Sequence, residues 1–220
     1  EPQGIGPLAL AFEQLKKKLE EKGLFEQSRK RDMDQCPDSV GIITSPSGAA
    51  LWDIVAVARR LAPYVKIYIY PAIVQGENAP QSLLKALELA NKHNKADVII
   101  IGRGGGSLEE LFGFNDETLA YAISESKIPV ISAVGHEVDF SISDFVADMR
   151  APTPSAAAEM LFVDKVILET KIKANKEKMI QFMSYLVDDT KMLLDNSMRS
   201  LNEGMKSIYL ENNNEYKNLL

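Results

Sequence analysis

Residues 97–107 read DVIIIGRGGGS, and this stretch decides the fold. Four β-branched apolar residues in succession predict a short strand that is buried on both of its faces. The glycines that follow cost chain entropy on folding, so either a positive φ or the close approach of a ligand to the backbone would explain them. The stretch therefore predicts an inner strand that ends in a glycine-rich loop around Arg103.

Short apolar runs and helical patterns alternate on both sides of this stretch. Strands are predicted at residues 40–44, 65–73 and 128–135, and helices at 49–61, 80–92 and 107–126. Such an alternation predicts a mostly parallel sheet that is covered by helices on both faces. We therefore expect an α/β fold with a Rossmann-like core at residues 38–150.

Two further segments flank this predicted core. Residues 1–37 are expected to form an N-terminal helix, at 7–23, followed by a polar linker. Residues 151–220 are expected to be helical, since no proline or glycine occurs from 155 to 203. Within that region apolar residues recur every seven positions at Ile172, Met179, Leu186 and Leu193. A helix cannot bury such a stripe alone, so we expect a coiled coil or a helical hairpin.

Composition limits the classes of protein. The single cysteine, Cys36, cannot form an internal disulfide, which fits a reducing compartment, and we expect the protein in the cytoplasm. No apolar run is long enough to span a bilayer, so no membrane association is expected. The net charge of −6 argues against a broad basic face for nucleic acid, but it is compatible with a local positive cleft.

Small polar residues follow the first predicted strand. Ser45, Ser47 and Gly48 lie between that strand and a helix, where ligands gather in open parallel sheets. Free amides at the helix start could bind a phosphate, or the serines could simply cap the helix, and the residues favour neither interpretation. Asp53, inside the helix, reads by itself as a solvated residue.

The glycine-rich loop contains Arg103, Gly104, Gly105, Gly106 and Ser107. Arg103 offers a planar fork of donors that suits a phosphate. The loop is not a Walker motif, because no Lys-Ser/Thr pair follows, and its glycine spacing is not that of the Rossmann fingerprint. An anion site is therefore favoured over a flexible turn.

His136 follows the last predicted strand, with Glu137 and Asp139 close behind. An imidazole with a carboxylate partner can act as a general acid or base near neutral pH. One histidine with two carboxylates is a thin zinc set, whereas Asp53 with Asp139 could hold Mg²⁺ instead. A purely structural hydrogen bond from His136 is the alternative. The other histidine, His93, reads as a solvated cation at a helix end.

A connector stiffened by Pro152 and Pro154 leads into the helical region. Within it, Arg150 and Thr153 could reach a phosphate in the site, and Ser155 could do so or cap the following helix. A rigid connector with no role in binding is an equally good interpretation.

Four strings, in this order, resemble those of the exodeoxyribonuclease VII large-subunit family. They are ITSPSGAA at 43–50, GRGGGSLE at 102–109, SAVGHEVD at 132–139 and RAPTPSAAAE at 150–159. The resemblance implies a nuclease that cuts single-stranded DNA to oligonucleotides, with Asp53, Arg103, His136 and Asp139 as catalytic residues. Our hypothesis is that His136 moves the proton, an aspartate orients it, and Arg103 with the loop amides holds the phosphate.

The resemblance also implies features outside the core. It implies no obligatory metal, and it leaves a role for Mg²⁺ open. In the family the C-terminal helices bind a small helical subunit, and a coiled coil could also join copies of this chain. The family's large subunit begins with an OB-fold that binds single strands, so we expect this chain to be a fragment without it. Trp52 departs from the pattern, which has a basic residue before Asp53.

Two other functions are kept as alternatives. A phosphosugar or nucleotide could bind at the glycine loop of an enzyme of another class. The chain could instead be a non-catalytic scaffold whose long helix binds a partner. Four ordered motifs at strand ends favour the nuclease over both.

Overall fold

The computed structural model describes residues 5–34, 36–105, 108–134, 140–162 and 165–218. The chain divides into two compact units, Glu1–Lys165 and Val166–Leu220. The first unit contains a sheet of five strands with helices on both faces, and the second is a single helix. The predicted α/β class is confirmed.

The elements follow one another in a strand–helix alternation. The strands are β1 (Ser39–Thr44), β2 (Lys66–Pro71), β3 (Val98–Gly102), β4 (Val130–Ala133) and β5 (Met149–Arg150). The helices are α1 (Ile5–Glu21), α2 (Ala49–Leu61), α3 (Ala79–His93), α4 (Glu117–Ser124), α5 (Ile142–Val146), α6 (Pro154–Leu161) and α7 (Lys165–Asn218). Two 3₁₀ helices lie at Gln27–Arg29 and Leu108–Phe114.

The strand order is β2-β1-β3-β4-β5, and every pair is parallel. Ile42 of β1 lies opposite Ile100 of β3, which in turn lies opposite Ile131 of β4. From β1 the chain runs outward to β2, and from β3 it runs outward on the other side. The order therefore reverses between β1 and β3, and this is the point at which doubly wound sheets bind ligands.

Each face of the sheet has its own apolar core, because side chains alternate along a strand. On one face Ile43, Ile99 and Ile101 pack with residues of α3 and α4. On the other face Ile42 and Ile100 pack with residues of α2 and α6. Burying one such side chain stabilises the fold by about 1.5–3 kcal/mol. The two cores therefore hold the parallel strands firmly in place, with their carboxyl ends at one edge of the sheet.

The long C-terminal helix predicted within residues 151–220 is confirmed, but it begins at Lys165 and not near residue 155. A separate helix, α6, precedes it and ends at Leu161. Phe162 between them has extended backbone (φ −100°, ψ 121°) and is 4% exposed. Its burial in the sheet's core interrupts the helix, although no proline or glycine marks the break.

Two short elements of the core were not predicted. The strand β5 has only two residues, and they lie in the segment that the sequence predicts as a connector. The helix α5 has five residues, too few to show a helical period. Both follow β4 and shape the same edge of the sheet.

The linker predicted after the first helix is attached to the sheet through Arg31. Its guanidinium binds both carboxylate oxygens of Asp148, with Nε 2.9 Å from Oδ1 and Nη2 2.7 Å from Oδ2. The amide of Val130 donates to the same carboxylate at 2.8 Å. Nearby, Lys18 of α1 pairs with Glu117 of α4 at 2.6 Å, and Leu19 is fully buried. The N-terminal segment is therefore part of the first unit.

The second unit, α7, carries the predicted heptad stripe. Ile172, Met179 and Leu193 are more than half exposed, so this stripe is not covered. A second stripe, also exposed, runs along the helix at Ile180, Val187, Leu194, Leu201 and Ile208. None of the helices in the described ranges is long and apolar enough to cross a membrane.

Candidate active site at the carboxyl edge of the sheet

The turn after β1 presents amides and hydroxyls at the carboxyl edge. The amide of Gly48 donates to the carbonyl of Ser45 at 3.1 Å, and the Ser45 and Ser47 hydroxyls are 3.2 Å apart. Gly48 is the N-cap residue of α2, and no side chain caps this helix. The interpretation of the serines as helix caps is therefore wrong, and the first amides of α2 remain available to an anion.

The glycine-rich loop lies against the start of α2. A Cβ built on Gly104 would be 3.9 Å from the backbone nitrogen of Ala50, which is ordinary contact distance. The turn after β1 and the loop after β3 therefore meet at the point where the strand order reverses. Gly106 and Ser107, at the end of the loop, lie outside the described residues.

The glycines of the loop differ in what they do. A Cβ on Gly102 would lie 3.1 Å from the carbonyl oxygen of Ala133, so this glycine permits the close approach of β4. Gly105 has open space around it, with nothing within 4 Å of a built Cβ. Of the glycines in the described ranges, only Gly23 and Gly76 have a positive φ. Close approach therefore explains Gly102, whereas neither close approach nor a left-handed backbone explains Gly105.

Arg103 is the most buried cation of this edge. Its residue is 3% exposed, and its amide faces the carbonyl of Ala133 at 3.4 Å. A guanidinium held below the surface at a strand end has lost bulk water, which strengthens its interaction with an anion. Arg103 directly follows β3 and so lies at the carboxyl edge, and its role in the site stays a prediction.

A second helix begins beside the loop. Pro154, the first residue of α6, has its Cγ 3.7 Å from a Cβ built on Gly102. Thr153 is the N-cap, and its hydroxyl accepts a hydrogen bond from the Ala156 amide at 3.0 Å. The alternative in which Ser155 caps the helix is wrong, because Ser155 lies inside α6. Two helix N-termini thus flank the end of β3, and both carry partial positive charge.

Arg150 lies at the end of β5, opposite Ser132 of β4. Its guanidinium carbon is 3.9 Å from the centre of the Phe140 ring, a cation–π contact. The Phe140 ring stacks in turn on Phe145, with the ring centres 5.5 Å apart. The interpretation of this segment as a rigid connector does not account for these contacts. They are tertiary contacts, which a sequence pattern does not reveal.

Asp53 lies on the exposed side of α2, in its second turn. It forms no hydrogen bond or ion pair with any residue that the structure describes. His93, by contrast, is the exposed last residue of α3, as predicted, and its ring contacts Tyr70. The structure therefore places Asp53 beside the edge without giving it a partner among the described residues.

The candidate general acid or base, His136, and its neighbour Asp139 lie outside the described residues, in the segment 135–139. Within the described ranges, no group of three histidine, cysteine or acidic residues could hold a metal ion. The elements before and after the segment are joined by Asp144, which is 3% exposed. Its carboxylate accepts from the Ser132 hydroxyl at 2.6 Å and from the Ser141 hydroxyl at 2.9 Å.

Sequence reasoning missed this buried carboxylate. Ser141 and Asp144 form a capping box at the start of α5, and the spacing of a serine and an acidic residue three positions later could have revealed it. Because Ser132 belongs to β4, the box also fixes α5 to the end of that strand.

A cavity of about 470 Å³ lies next to the turn after β1. Its lining combines apolar and hydroxyl side chains, namely Pro46, Pro71, Ile73, Ser45, Ser47 and Ser82. On β1 itself, the Thr44 hydroxyl is buried and has no hydrogen-bond partner among the residues in the described ranges. Such a group costs about 1–3 kcal/mol if it stays unsatisfied. The edge therefore has features of a ligand site on the β1 side as well.

Comparison with known proteins agrees with the resemblance of the four strings. The sequence model of the family described as "Exonuclease VII, large subunit" matches residues 24–219. The exodeoxyribonuclease 7 large subunit of Geobacillus kaustophilus is 50% identical over 183 residues, which are 83% of this chain and 41% of that protein. That of Clostridium botulinum is 44% identical over 217 residues, which are 99% of this chain and 54% of that protein.

A third relative, from Geotalea uraniireducens, is 49% identical over 189 residues, 86% of this chain and 42% of that protein. The chain thus spans about half the length of the curated relatives it matches. The matches include the turn after β1, the glycine loop and the segment around Arg150 within one family model. The chain belongs to the exonuclease VII large-subunit family.

Proposed function

We propose that this chain hydrolyses phosphodiester bonds of single-stranded DNA at the carboxyl edge of its sheet. One observation carries the proposal. A buried arginine, Arg103, lies between the N-termini of α2 and α6, at the point where the strand order reverses. This arrangement offers fixed positive charge and free amides to a phosphate, which is the group that a nuclease must hold.

Binding of the scissile phosphate is assigned to the turn after β1 and the glycine loop. Gly104 lies next to the backbone nitrogen of Ala50, at the start of α2. One phosphate can therefore contact both the amides after Ser45 and those around Gly104. Arg103 adds a bidentate donor that stabilises the charge developing on the phosphate oxygens in the transition state. The turn hydroxyls of Ser45 and Ser47 supply further donors.

Proton transfer is assigned to His136. It would take the proton from the attacking water, or give one to the leaving oxygen, and Asp139 or Asp53 would orient its ring. Neither a metal nor another cofactor is required by these roles. If Mg²⁺ takes part, Asp53 and Asp139 are the carboxylates that would bind it.

Binding of the rest of the strand needs surface beyond this edge. The chain carries a net charge of −6, so long-range attraction of DNA cannot come from its overall charge. We assign that attraction to the parts that the longer relatives have in addition, and binding of a small helical subunit to the exposed stripes of α7. The same stripes would serve in self-association, and we place the activity in the cytoplasm.

The test uses end-labelled single-stranded and duplex oligonucleotides, with EDTA or with Mg²⁺. Cleavage of the single strand is expected for the parent chain and for the control His93→Ala, whose histidine lies exposed at the end of α3. His136→Ala should lower the rate by about 10²–10⁴-fold. Undiminished cleavage by His136→Ala would exclude the assignment, and the EDTA lane decides whether a metal is needed.

Two further outcomes separate the alternatives. A chain that binds a mononucleotide but does not turn over DNA would be a nucleotide-binding enzyme of another class. Absence of cleavage, even with the chain extended to the length of its relatives and supplied with the small subunit, would favour the scaffold.

A further inference from the structure

The cavity beside the turn after β1 opens on the side of the sheet that carries β2. Its volume of about 470 Å³ lies within the range of about 300–1,000 Å³ that pockets for small molecules occupy. Ser45 and Ser47 of the turn line the cavity, together with the segment that follows β2 and Ser82 of α3. The cavity therefore adjoins the turn that is proposed to bind the phosphate.

The walls of this cavity are apolar and uncharged. Pro46, Pro71 and Ile73 present exposed hydrocarbon surface, and Ile73 is 54% exposed. Of the described residues that line the cavity, none carries a charge. A phosphate placed there would lose water without gaining a cation, so the cavity suits a neutral and largely apolar group. In a nucleotide, that group is the base.

Hydroxyl groups supply the polar contacts within these walls. The Ile73 amide donates to the Ser82 hydroxyl at 2.8 Å, so Ser82 keeps its own proton for another acceptor. The Ser45 and Ser47 hydroxyls share one hydrogen bond at 3.2 Å, which leaves one of their two protons. Neither remaining proton is bonded to an acceptor in the part of the chain that the structure describes. Carbonyl oxygens on the edge of a base can accept these protons.

Hydrogen bonds and core packing fix the shape of the cavity. The Ala72 amide donates to the Thr44 carbonyl at 3.0 Å, so the inner surface continues from the end of β1. Ala72 and Val74 are 5% and 7% exposed and belong to the apolar core on the α3 side. The bond between Ile73 and Ser82 attaches the wall to α3. A ligand would meet preformed walls, which lowers the entropy cost of binding.

We propose that this cavity binds the base of a nucleotide whose phosphate lies at the turn after β1. The proposal rests on the proposed function, and it adds the subsite that receives the base. Proteins hold unstacked bases between apolar or aromatic side chains and form hydrogen bonds to their edges. A duplex would have to unstack and unpair a base to fill the cavity, whereas a single strand offers one directly. The subsite therefore favours single strands over duplex DNA.

The test compares two small probes that differ only in the base. Thymidine 3′,5′-bisphosphate has a phosphate on each side of one nucleoside, so its binding does not depend on the direction of the strand. In the second probe, hydrogen replaces the base. Isothermal titration calorimetry with the full chain should show that the base improves the affinity about five- to tenfold. This is the low end for a base held by a protein, because the walls are aliphatic.

The variant Ile73→Ala removes one wall of the cavity. Because Ile73 is more than half exposed, the substitution should leave stability almost unchanged. It should remove most of the difference between the two probes and leave the affinity of the base-free probe as it was, since both changes delete the same contact. The matched control is Ile69→Ala, which is 46% exposed on β2 and does not line the cavity. A depression that holds only water predicts equal affinities for both probes.

Methyl resonances locate the bound base directly. In a chain labelled at its isoleucine methyl groups, the ring current of the base should shift the Ile73 resonance, and the base-free probe should shift it much less. The Ile69 resonance should stay in place with both probes.

The outcomes for the subsite and for the nuclease are separate. Equal binding of the two probes, or no binding of either, with an unmoved Ile73 resonance would overturn the subsite, and cleavage of single strands by the same chain would leave the nuclease assignment intact. If the probe with the base binds through Ile73 but no single strand is cut, the subsite stands and the nuclease assignment fails.

Discussion

The carboxylate of Asp148 is bound by the Arg31 guanidinium through two hydrogen bonds, although 117 positions separate the two residues. Arg31 also donates to the carbonyl oxygens of Ser126 and Lys127, so it holds the turn before β4 as well. The side chain of Asp148 is only 5% exposed. This pair fixes the segment around Arg31 to the side of the sheet that carries β4 and β5.

Replacing Arg31 should therefore destabilise the first unit strongly. Arg31→Met leaves the buried Asp148 carboxylate without its charged partner, although the Val130 amide still donates to it, and we expect a loss of about 3 kcal/mol in the free energy of unfolding. Urea denaturation at neutral pH measures it. The matched control is Arg60→Met, because the Arg60–Glu159 pair is 62% and 56% exposed and should contribute at most about 1 kcal/mol. Equal losses in both variants would contradict the prediction.

The same pair predicts a dependence of stability on pH. Burial alone would raise the pKa of Asp148, but hydrogen bonds from the Arg31 side chain and from the Val130 and Arg31 amides lower it below the ordinary value. A lowered carboxyl pKa stabilises the fold fully above the unfolded pKa of about 3.9, and that stability is lost as the pH falls through the folded pKa. The difference between parent and Arg31→Met should therefore shrink below about pH 4. A difference that grows in acid would refute this.

The glycines of the loop should respond unequally to alanine. Gly102→Ala brings a Cβ within 3.1 Å of the Ala133 carbonyl oxygen, and we expect it to cost about 1–3 kcal/mol in stability. Gly105→Ala meets open space without a positive φ, so its stability should change by less than about 0.5 kcal/mol. Thermal unfolding of the two variants gives the comparison. Similar melting temperatures would show that β4 can move away from Gly102.

Arg103→Lys should lower turnover while the fold persists. Lysine keeps the positive charge but loses the planar fork, so transition-state stabilisation should fall by about 10²–10³-fold in kcat on a single-stranded oligonucleotide. Arg59→Lys, an exposed substitution in the last turn of α2, is the control. An unchanged kcat in Arg103→Lys would remove Arg103 from the phosphate site.

The exposed stripe of α7 should determine association. Leu186→Asn places a polar group in the first stripe and should weaken binding of the small subunit, or self-association, by about tenfold or more. Lys191→Asn, a polar and exposed position of the same helix, should have little effect. Pull-down with the small subunit and light scattering measure the two kinds of association. Unfolding of the first unit should be the same in both variants.

The parts of the fold that the sequence predicts are those with long uniform patterns. The strands β1, β3 and β4 are continuous apolar runs, and α2 begins at residue 49 and ends at 61, as its spacing predicts. By contrast, β5 has two residues, too few to show the alternation of a strand. It is recognised only by its parallel pairing with β4 in the structure. The break at Phe162 is likewise due to burial of its ring, which a local pattern does not show.

The candidate site divides in the same way. Glycines, serines and Arg103 directly after predicted strands can be recognised from the local sequence. Parallel strands bring their carboxyl ends to one edge, so these residues are predicted to meet there. The stacking of Phe140 on Arg150 joins residues from two elements that become neighbours only through the sheet. The carboxylate of Asp144 is similar, since its partner Ser132 lies 12 positions away. Tertiary contacts of this kind leave no local pattern in the sequence, so they could not be predicted from it.

The two outer strands affect how the protein behaves when it is concentrated. The edge strand β2 begins at Lys66 and ends at Pro71, and the opposite edge strand, β5, offers only two residues before Pro152 interrupts hydrogen bonding. Charged residues, prolines and very short strands at sheet edges oppose pairing with a further strand from another molecule. The apolar strands in the middle are thereby protected from cross-β aggregation, so copies of this chain can meet at high concentration without the sheet propagating between them.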